Sequence, residues 1–168
     1  MTLYSYVLSN IYSLLPLFIT LILSIVSILP IMPSGTEEIA PLLGVISLSF
    51  WVVNRPDNMG WLSVIIIGIF NDVLYGSLLG IACLSAIIVR LILTKILYKI
   101  DLTNIYHTLF YVSLSLIIWL FINILAKHII YFNFYDYYAV IFQFLVSLVI
   151  SPIIVFIQLL VLKKCLYN

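Results

Sequence analysis

The chain has 168 residues, of which 65% are hydrophobic and 8% charged, and its net charge is +1. A soluble domain carries roughly 25% charged residues, so the polar surface is too small to cover a globule in water. The near-neutral balance also lacks the basic cluster that would grip nucleic-acid phosphates. Roughly 20 apolar residues cross a bilayer as a helix, and stretches of that kind recur along the sequence, which implies an integral membrane protein.

The opening residues, "MTLYSYVLSN", lack the positive n-region and small-residue cleavage site of a signal peptide. The first apolar segment is therefore expected to be retained as a membrane anchor. It is predicted over residues 14–32, with Pro16 tolerated in its opening turn and Pro30 and Pro33 closing it. Ser13, Thr20, Ser24 and Ser27 recur on one helical face of this segment. Small hydroxyl residues let helices approach and bond across the contact, so this is expected to be an internal packing face.

The second segment, residues 39–53, is short and runs into "NRPDNMG". The third, 61–77, contains "GIFNDVLYGSLLG", in which Gly68, Asp72, Gly76 and Gly80 follow at intervals of four. Four of the six glycines lie between Gly60 and Gly80. Glycines on one helical face invite close approach of a second backbone, and "YGSLLG" supplies freedom for a tight turn. The fourth segment covers 79–98, the fifth 106–126, and the sixth 138–162 with a kink expected at Pro152.

Six crossings place Arg55, Lys95, Lys99, Lys163 and Lys164 on one side, and Glu37, Glu38, Asp136 and Lys127 on the other. Five cations against one is a strong positive-inside bias, which predicts cytoplasmic termini. The outer connection "KHIIYFNFYDYY" is dense in aromatic residues, suiting either an interfacial belt or a partner-docking surface. The expected architecture is a single all-α membrane domain over 1–168, with six transmembrane helices in one bundle lying in the lipid bilayer.

An intramembrane Asp costs about 2.5–3.5 kcal/mol on insertion scales, so it should face the bundle interior and find partners. Asp72 is expected about 6 Å below the outer boundary, at a depth shared by Asn123 and Gln143. The expectation is an outer polar layer of Asn71, Asp72, Asn123 and Gln143, serving either to fix helix register or to open outward as a partner or ligand site. Arg90 should lie roughly 8–10 Å deeper than Asp72 and snorkel toward the cytoplasmic face with Lys95.

Catalytic chemistry lacks its parts. Asp72 is the only acidic residue inside a predicted segment, so an aspartyl dyad is missing its second carboxylate. His107 and His128 fall near opposite ends of segment five, and no serine has a positioned base. Glu37 and Glu38 have no histidine near them, and Cys83 and Cys165 have no metal or redox spacing. No enzyme activity, catalytic residue, metal or cofactor is expected.

The stretch Trp51–Gly80, "WVVNRPDNMGWLSVIIIGIFNDVLYGSLLG", resembles the bacterial rod shape-determining MreD family of small membrane proteins. An "RP" pair, a glycine, an apolar run and the G-x-x-x-D-x-x-x-G-x-x-x-G pattern fall here on Arg55, Pro56, Gly60, Gly68, Asp72, Gly76 and Gly80, which become the candidates for helix packing or partner interaction. Downstream of Arg90 the likeness rests on topology alone. The resemblance implies a non-enzymatic inner-membrane component of the cell-elongation machinery, acting with the bitopic protein MreC, the actin-like MreB filament, and the glycosyltransferase RodA with its transpeptidase. The family fold is similar to the substrate-binding subunits of energy-coupling-factor transporters. That likeness supplies the alternative, a vitamin-type transporter subunit with a pocket open to the outside.

Overall fold

The computed structural model describes residues 3–29, 40–76, 80–97, 105–131 and 137–166. Six helices fill these stretches: α1 (Leu3–Ile28), α2 (Leu43–Asn54), α3 (Trp61–Leu74), α4 (Ile81–Leu97), α5 (Ile105–Tyr131) and α6 (Tyr137–Leu166). Two of them contain runs long and apolar enough to cross a membrane, Ile105–Ala126 and Tyr138–Lys164, and shorter apolar runs occupy Leu14–Ile28, Leu43–Asn54 and Trp61–Leu74.

Element order matches the six expected segments, while several ends differ. α1 begins at Leu3, so Pro16 is inside it rather than in its opening turn. α2 starts at Leu43, with Leu42 as its N-cap accepting from Ile46 N at 3.1 Å, while residue 39, the expected start, lies outside the described residues. α5 continues through Lys127 to Tyr131, taking up the first part of the segment expected to be a loop. Residues 132–136 of that segment, Glu37, Glu38, Lys99 and Asp136 lie outside the described residues.

α2 is the axis of the molecule. It has 12 residues and every side chain from Leu43 to Val53 is buried. Helices α1, α4, α5 and α6 all pack on it. A helix that is apolar on every side belongs in a core, and α2 supplies Ile46, Leu48, Phe50 and Val52, all with no exposed surface. At 1.5 Å per residue it is about 18 Å long, well short of the ~30 Å hydrocarbon thickness. Its length is set by the bundle around it.

Several amide and hydroxyl groups of α2 and its approach are bonded to neighbouring helices, while Trp51 Nε1 is buried without a hydrogen-bond partner. Leu42 N–H donates to Ser147 Oγ of α6 at 3.0 Å, and Leu43 N–H donates to Ser27 Oγ of α1 at 3.2 Å. These replace the partners that the first amides of any helix lack. Ser47 Oγ is 3.0 Å from Thr20 Oγ1 and accepts from Gln158 Nε2 at 2.6 Å, joining α1, α2 and α6. Ser49 and Ser115 share a hydroxyl–hydroxyl bond that joins α2 to α5. The hydroxyl face expected on α1 is internal, with Thr20, Ser24 and Ser27 all buried. Gly44 of α2 lets α1 in close: a Cβ there would collide with Ser24 Oγ.

The outer helices are one-sided. α3 buries Val64, Ile67, Gly68, Asn71 and Asp72 at helical spacing, and turns Leu62, Ile65, Ile66, Ile69 and Val73 outward. α6 buries a polar stripe of Ser147, Ser151 and Gln158 with Val155, and exposes Ile141, Leu145, Val149 and Phe156. Polar side chains inside and apolar side chains outside is the arrangement expected where hydrocarbon is the solvent.

Candidate functional site

The sequence-defined candidates fall in two places, the loop between α2 and α3 and the join between α3 and α4. In the loop, Arg55 caps α2 through its N–H, which donates to Trp51 O at 2.8 Å. Arg55 O then accepts from Asn58 N at 3.2 Å and from Met59 N at 3.3 Å. A four-residue turn closes from Arg55 to Asn58 with Pro56 at its second position, where a fixed φ near −65° is favoured. The turn drives Met59 into the core, where it has no exposed surface. Gly60 then caps α3 at φ −58°, and a Cβ there would meet nothing within 4 Å. Nothing in the structure explains glycine at this position.

The second place is where the glycines and the carboxylate act together. A Cβ on Gly68 would strike the Cα of Cys83, so α3 and α4 touch backbone to backbone at this point. Gly76 and Gly80 have φ of +58° and +113°, conformations that side-chain-bearing residues rarely adopt, and they flank the connection between the helices. The three glycines thus serve two purposes: one opens a contact and two turn the chain.

Asp72 completes the join. Its side chain is fully buried. Oδ2 accepts from Gly80 N at 2.8 Å and from Cys83 N at 3.3 Å, and Oδ1 accepts from Ala82 N at 2.8 Å. α4 starts at Ile81, so these amides are the flanking residue and the second and third positions of its first turn. These N–H groups lack intrahelical acceptors, and a capping side chain ordinarily comes from the residue just before the helix. Here the cap comes from eight residues upstream, on the preceding helix. Two residues from the end of α3, Asp72 is poorly placed against the dipole of its own helix, but the positive end of α4 faces it. The amides of α4 are the partners that the buried Asp72 requires.

The other members of the expected polar layer make separate attachments. Asn123 of α5 donates from Nδ2 to Ser85 Oγ at 3.3 Å and to Trp119 O at 2.8 Å. Asp72 and Asn123 therefore both hold the beginning of α4, one from α3 and one from α5. Gln143 of α6 goes elsewhere: its Nε2 donates to Ala40 O at 3.0 Å and fixes the entry to α2. Asn71 is buried, and its Oδ1 has no hydrogen-bond partner. Arg90 is also buried, with its guanidinium over the Trp61 ring, whereas Lys95 is exposed.

Sequence reasoning missed Gly44, Ser47, Ser49, Ser115 and Gln158, which tie α2 to its neighbours. Gln158 and the serines carry a readable signal, since polar side chains inside apolar segments seek one another. Their pairing is a property of the packed bundle and has no local signature.

The chemical character of this region is structural. Carboxylate, hydroxyl and amide groups are directed at the backbone and side chains of adjoining helices, Asp72 joining α3 to α4, Asn123 joining α5 to α4, and Gln143 joining α6 to the approach to α2. No curated protein and no solved structure matches the chain. The family model for the rod shape-determining protein MreD matches residues 9–162 of the 168, and with the Arg55–Gly80 pattern assembled into one loop and one helix join, the chain belongs to the MreD family of rod shape-determining membrane proteins.

Proposed function

We infer that the chain is a non-enzymatic scaffold of the bacterial elongation complex, crossing the cytoplasmic membrane six times with both termini inside. In this role it connects an MreC-like bitopic protein, an MreB-like filament, and a RodA-like glycosyltransferase with its transpeptidase, so that lateral wall synthesis follows cell shape. The observation that carries the reading is the destination of the buried polar groups. Asp72 is bonded to the amides of α4, Asn123 to Ser85, and Gln143 to the approach to α2. A ligand site needs several convergent polar groups facing a cavity; a scaffold needs helices held in fixed register with apolar faces turned outward.

The test is mild-detergent purification of the tagged chain from its own host, followed by mass spectrometry of what accompanies it. A bitopic protein with wall synthases is the expected result, and Asp72→Ala should insert normally yet recover less of both and give misshapen cells. A pair of ATPases with a second small membrane subunit would overturn the scaffold and make the chain a transporter component. Normal cell shape with Asp72→Ala at native expression would remove Asp72 from the assembly.

A further inference from the structure

Among the described residues two charged side chains are buried, Asp72 and Arg90. Asp72 has its partners. Arg90 is 8% exposed, and its Nε and Nη1 are enclosed without any hydrogen-bond partner. What accompanies the charge is an aromatic face: Cζ lies 4.6 Å from the centroid of the Trp61 ring. A cation over an indole gains about 0.5–2 kcal/mol, whereas an enclosed unpaired donor costs about 1–3 kcal/mol and more when charged. Stacking alone leaves this guanidinium short of an anion.

The position is set by the helix pair. Trp61 precedes Gly68 by seven residues and Arg90 follows Cys83 by seven. The antiparallel helices that touch at Gly68 and Cys83 therefore meet again two turns away, with Arg90 on Trp61. Asp72 cannot serve as the counter-ion, being eleven residues from Trp61 along α3, or about 16 Å. Trp61 opens α3 at the end of the Arg55–Gly60 loop and is half exposed. A tryptophan at a helix end and an arginine reaching toward it both favour the headgroup level of a bilayer. The surface beside them is apolar, with Leu62 and Ile65 of α3 and Leu91 of α4 exposed. Of the guanidinium nitrogens Nε and Nη1 are the enclosed, unpartnered ones, which leaves Nη2 for an anion to approach.

We propose that Arg90 and Trp61 form a binding site for the phosphate of a net-anionic phospholipid, in the leaflet on the side of the Arg55–Gly60 loop. A phosphate oxygen meets the guanidinium end-on at Nη2, and the half-exposed ring is the wall that yields to let it reach Nη1. The acyl chains lie over the outward side chains of α3 and α4. The exposed side chains beside the pair along α3 and α4, Leu62, Ile65 and Leu91, are apolar, which favours a lipid over the carboxylate of a protein partner. The site needs the chain only to be in a bilayer, so it stands or falls apart from the scaffold role.

The experiment is native mass spectrometry of the full chain, purified in a neutral detergent and offered equal amounts of phosphatidylglycerol and phosphatidylcholine with identical acyl chains. The wild type should retain about fivefold more phosphatidylglycerol, the equivalent of the ~1 kcal/mol that a basic residue gains near an anionic surface. Arg90→Gln should level the two lipids, and Arg90→Lys should leave about a twofold preference, since an ammonium keeps the charge and loses the fork. Equal retention by the wild type overturns the site, and so does a fivefold preference that survives either substitution. The wild-type and Arg90→Lys measurements decide the matter if Arg90→Gln does not fold. Displacement of the bound lipid by millimolar inorganic phosphate would reassign the site to a free anion. Loss of a co-purifying protein from Arg90→Gln, with lipid preference unchanged, would overturn the lipid and give the guanidinium to a partner's carboxylate.

Discussion

The central helix α2 and the α3–α4 pair solve the same problem by different means. α2 is surrounded, and its ties are neutral: Ser47 to Thr20 and Gln158, Ser49 to Ser115, and two amides to Ser27 and Ser147. α3 and α4 each present one face outward and pack closely on each other, and their register is held at the Gly68 contact, the Asp72 cap, the glycine turn and the Arg90–Trp61 stack. In the first region stabilisation is spread over many packed side chains, so no single bond dominates. In the second it is concentrated, and one substitution can open the pair. The family pattern of glycines and Asp72 falls in the concentrated region, where a residue's type is dictated by geometry.

Replacing Gly68 is expected to have the largest effect. The obstacle to a side chain is the Cα of Cys83 and, at 3.0 Å, its backbone N. Neither can move without displacing α4, so Gly68→Val should cost at least about 3 kcal/mol, at the upper end of over-packing. The readout is recovery of monodisperse protein by size exclusion, expected to fall near background. Gly44→Ala is the contrast from the surrounded region. Its nearest obstacle is the Ser24 hydroxyl, although Ser24 Cβ follows at 3.1 Å. Rotation of that hydroxyl holds the cost to about 1–2 kcal/mol. If both variants were equally well recovered, the two contacts would not differ in kind.

Asp72 ranks next. Asp72→Ala removes the acceptor for three amides at the start of α4 and should lower stability by about 2–4 kcal/mol, combining a lost cap with enclosed unpaired donors. Asp72→Asn keeps one acceptor oxygen and should lose about half as much. The unfolding midpoint in a mixed-micelle titration reports both. Equal losses would mean that the charge or an additional contact of Asp72, rather than its capping oxygens, governs the join.

The turn glycines make a smaller and cleaner comparison. A Cβ on Gly80 meets nothing within 4 Å, yet its φ is +113°, so Gly80→Ala is strained by backbone alone and should cost about 1–3 kcal/mol. Gly60 has equally open surroundings with φ −58°. Gly60→Ala should therefore change stability by less than about 0.5 kcal/mol. Thermal unfolding of the two variants separates conformational need from absence of crowding. A marked loss of partner recovery by Gly60→Ala at unchanged stability would assign that glycine to an interface.

These contrasts also show what the amino-acid order could reveal. Membrane character, helix number and the MreD family were legible, because hydropathy and the pattern from Arg55 to Gly80 are local properties. The burial of Asp72 was legible too, but its partners were sought among side chains. Its acceptors are instead used by the backbone of the next helix, since a helix start carries unpaired amides wherever it lies in the bundle. The intervals of four put Gly68, Asp72 and Gly76 on one helical face, while "YGSLLG" reads as a tight turn. The structure takes Gly76 off that face, because α3 ends at Leu74 and Gly76, like Gly80, is no longer helical. The enclosure of Arg90 under Trp61 follows from the antiparallel register of α3 and α4, which is fixed at Gly68 and invisible before the helices are packed.

A small coupling between two hydroxyls tests the surrounded region most directly. The Ser49 and Ser115 hydroxyls lie against each other, and whichever does not donate across that contact donates to a carbonyl of its own helix, Ser49 to Val45 O at 2.7 Å or Ser115 to Val112 O at 2.7 Å. Each hydroxyl therefore has a carbonyl of its own helix as a second partner, to which it can revert when the other is removed. A double-mutant cycle with Ser49→Ala, Ser115→Ala and the pair should give a coupling of only about 0.6 kcal/mol, the mean for hydrogen bonds between membrane helices. The alanines also fit the space the serines leave, so apolar packing around α2 loses little. A coupling well above about 1.7 kcal/mol would place this bond beyond the range found for such pairs. The central helix would then depend on a single tie, as α4 depends on Asp72, and the distinction between a distributed core and a pinned helix pair would fall.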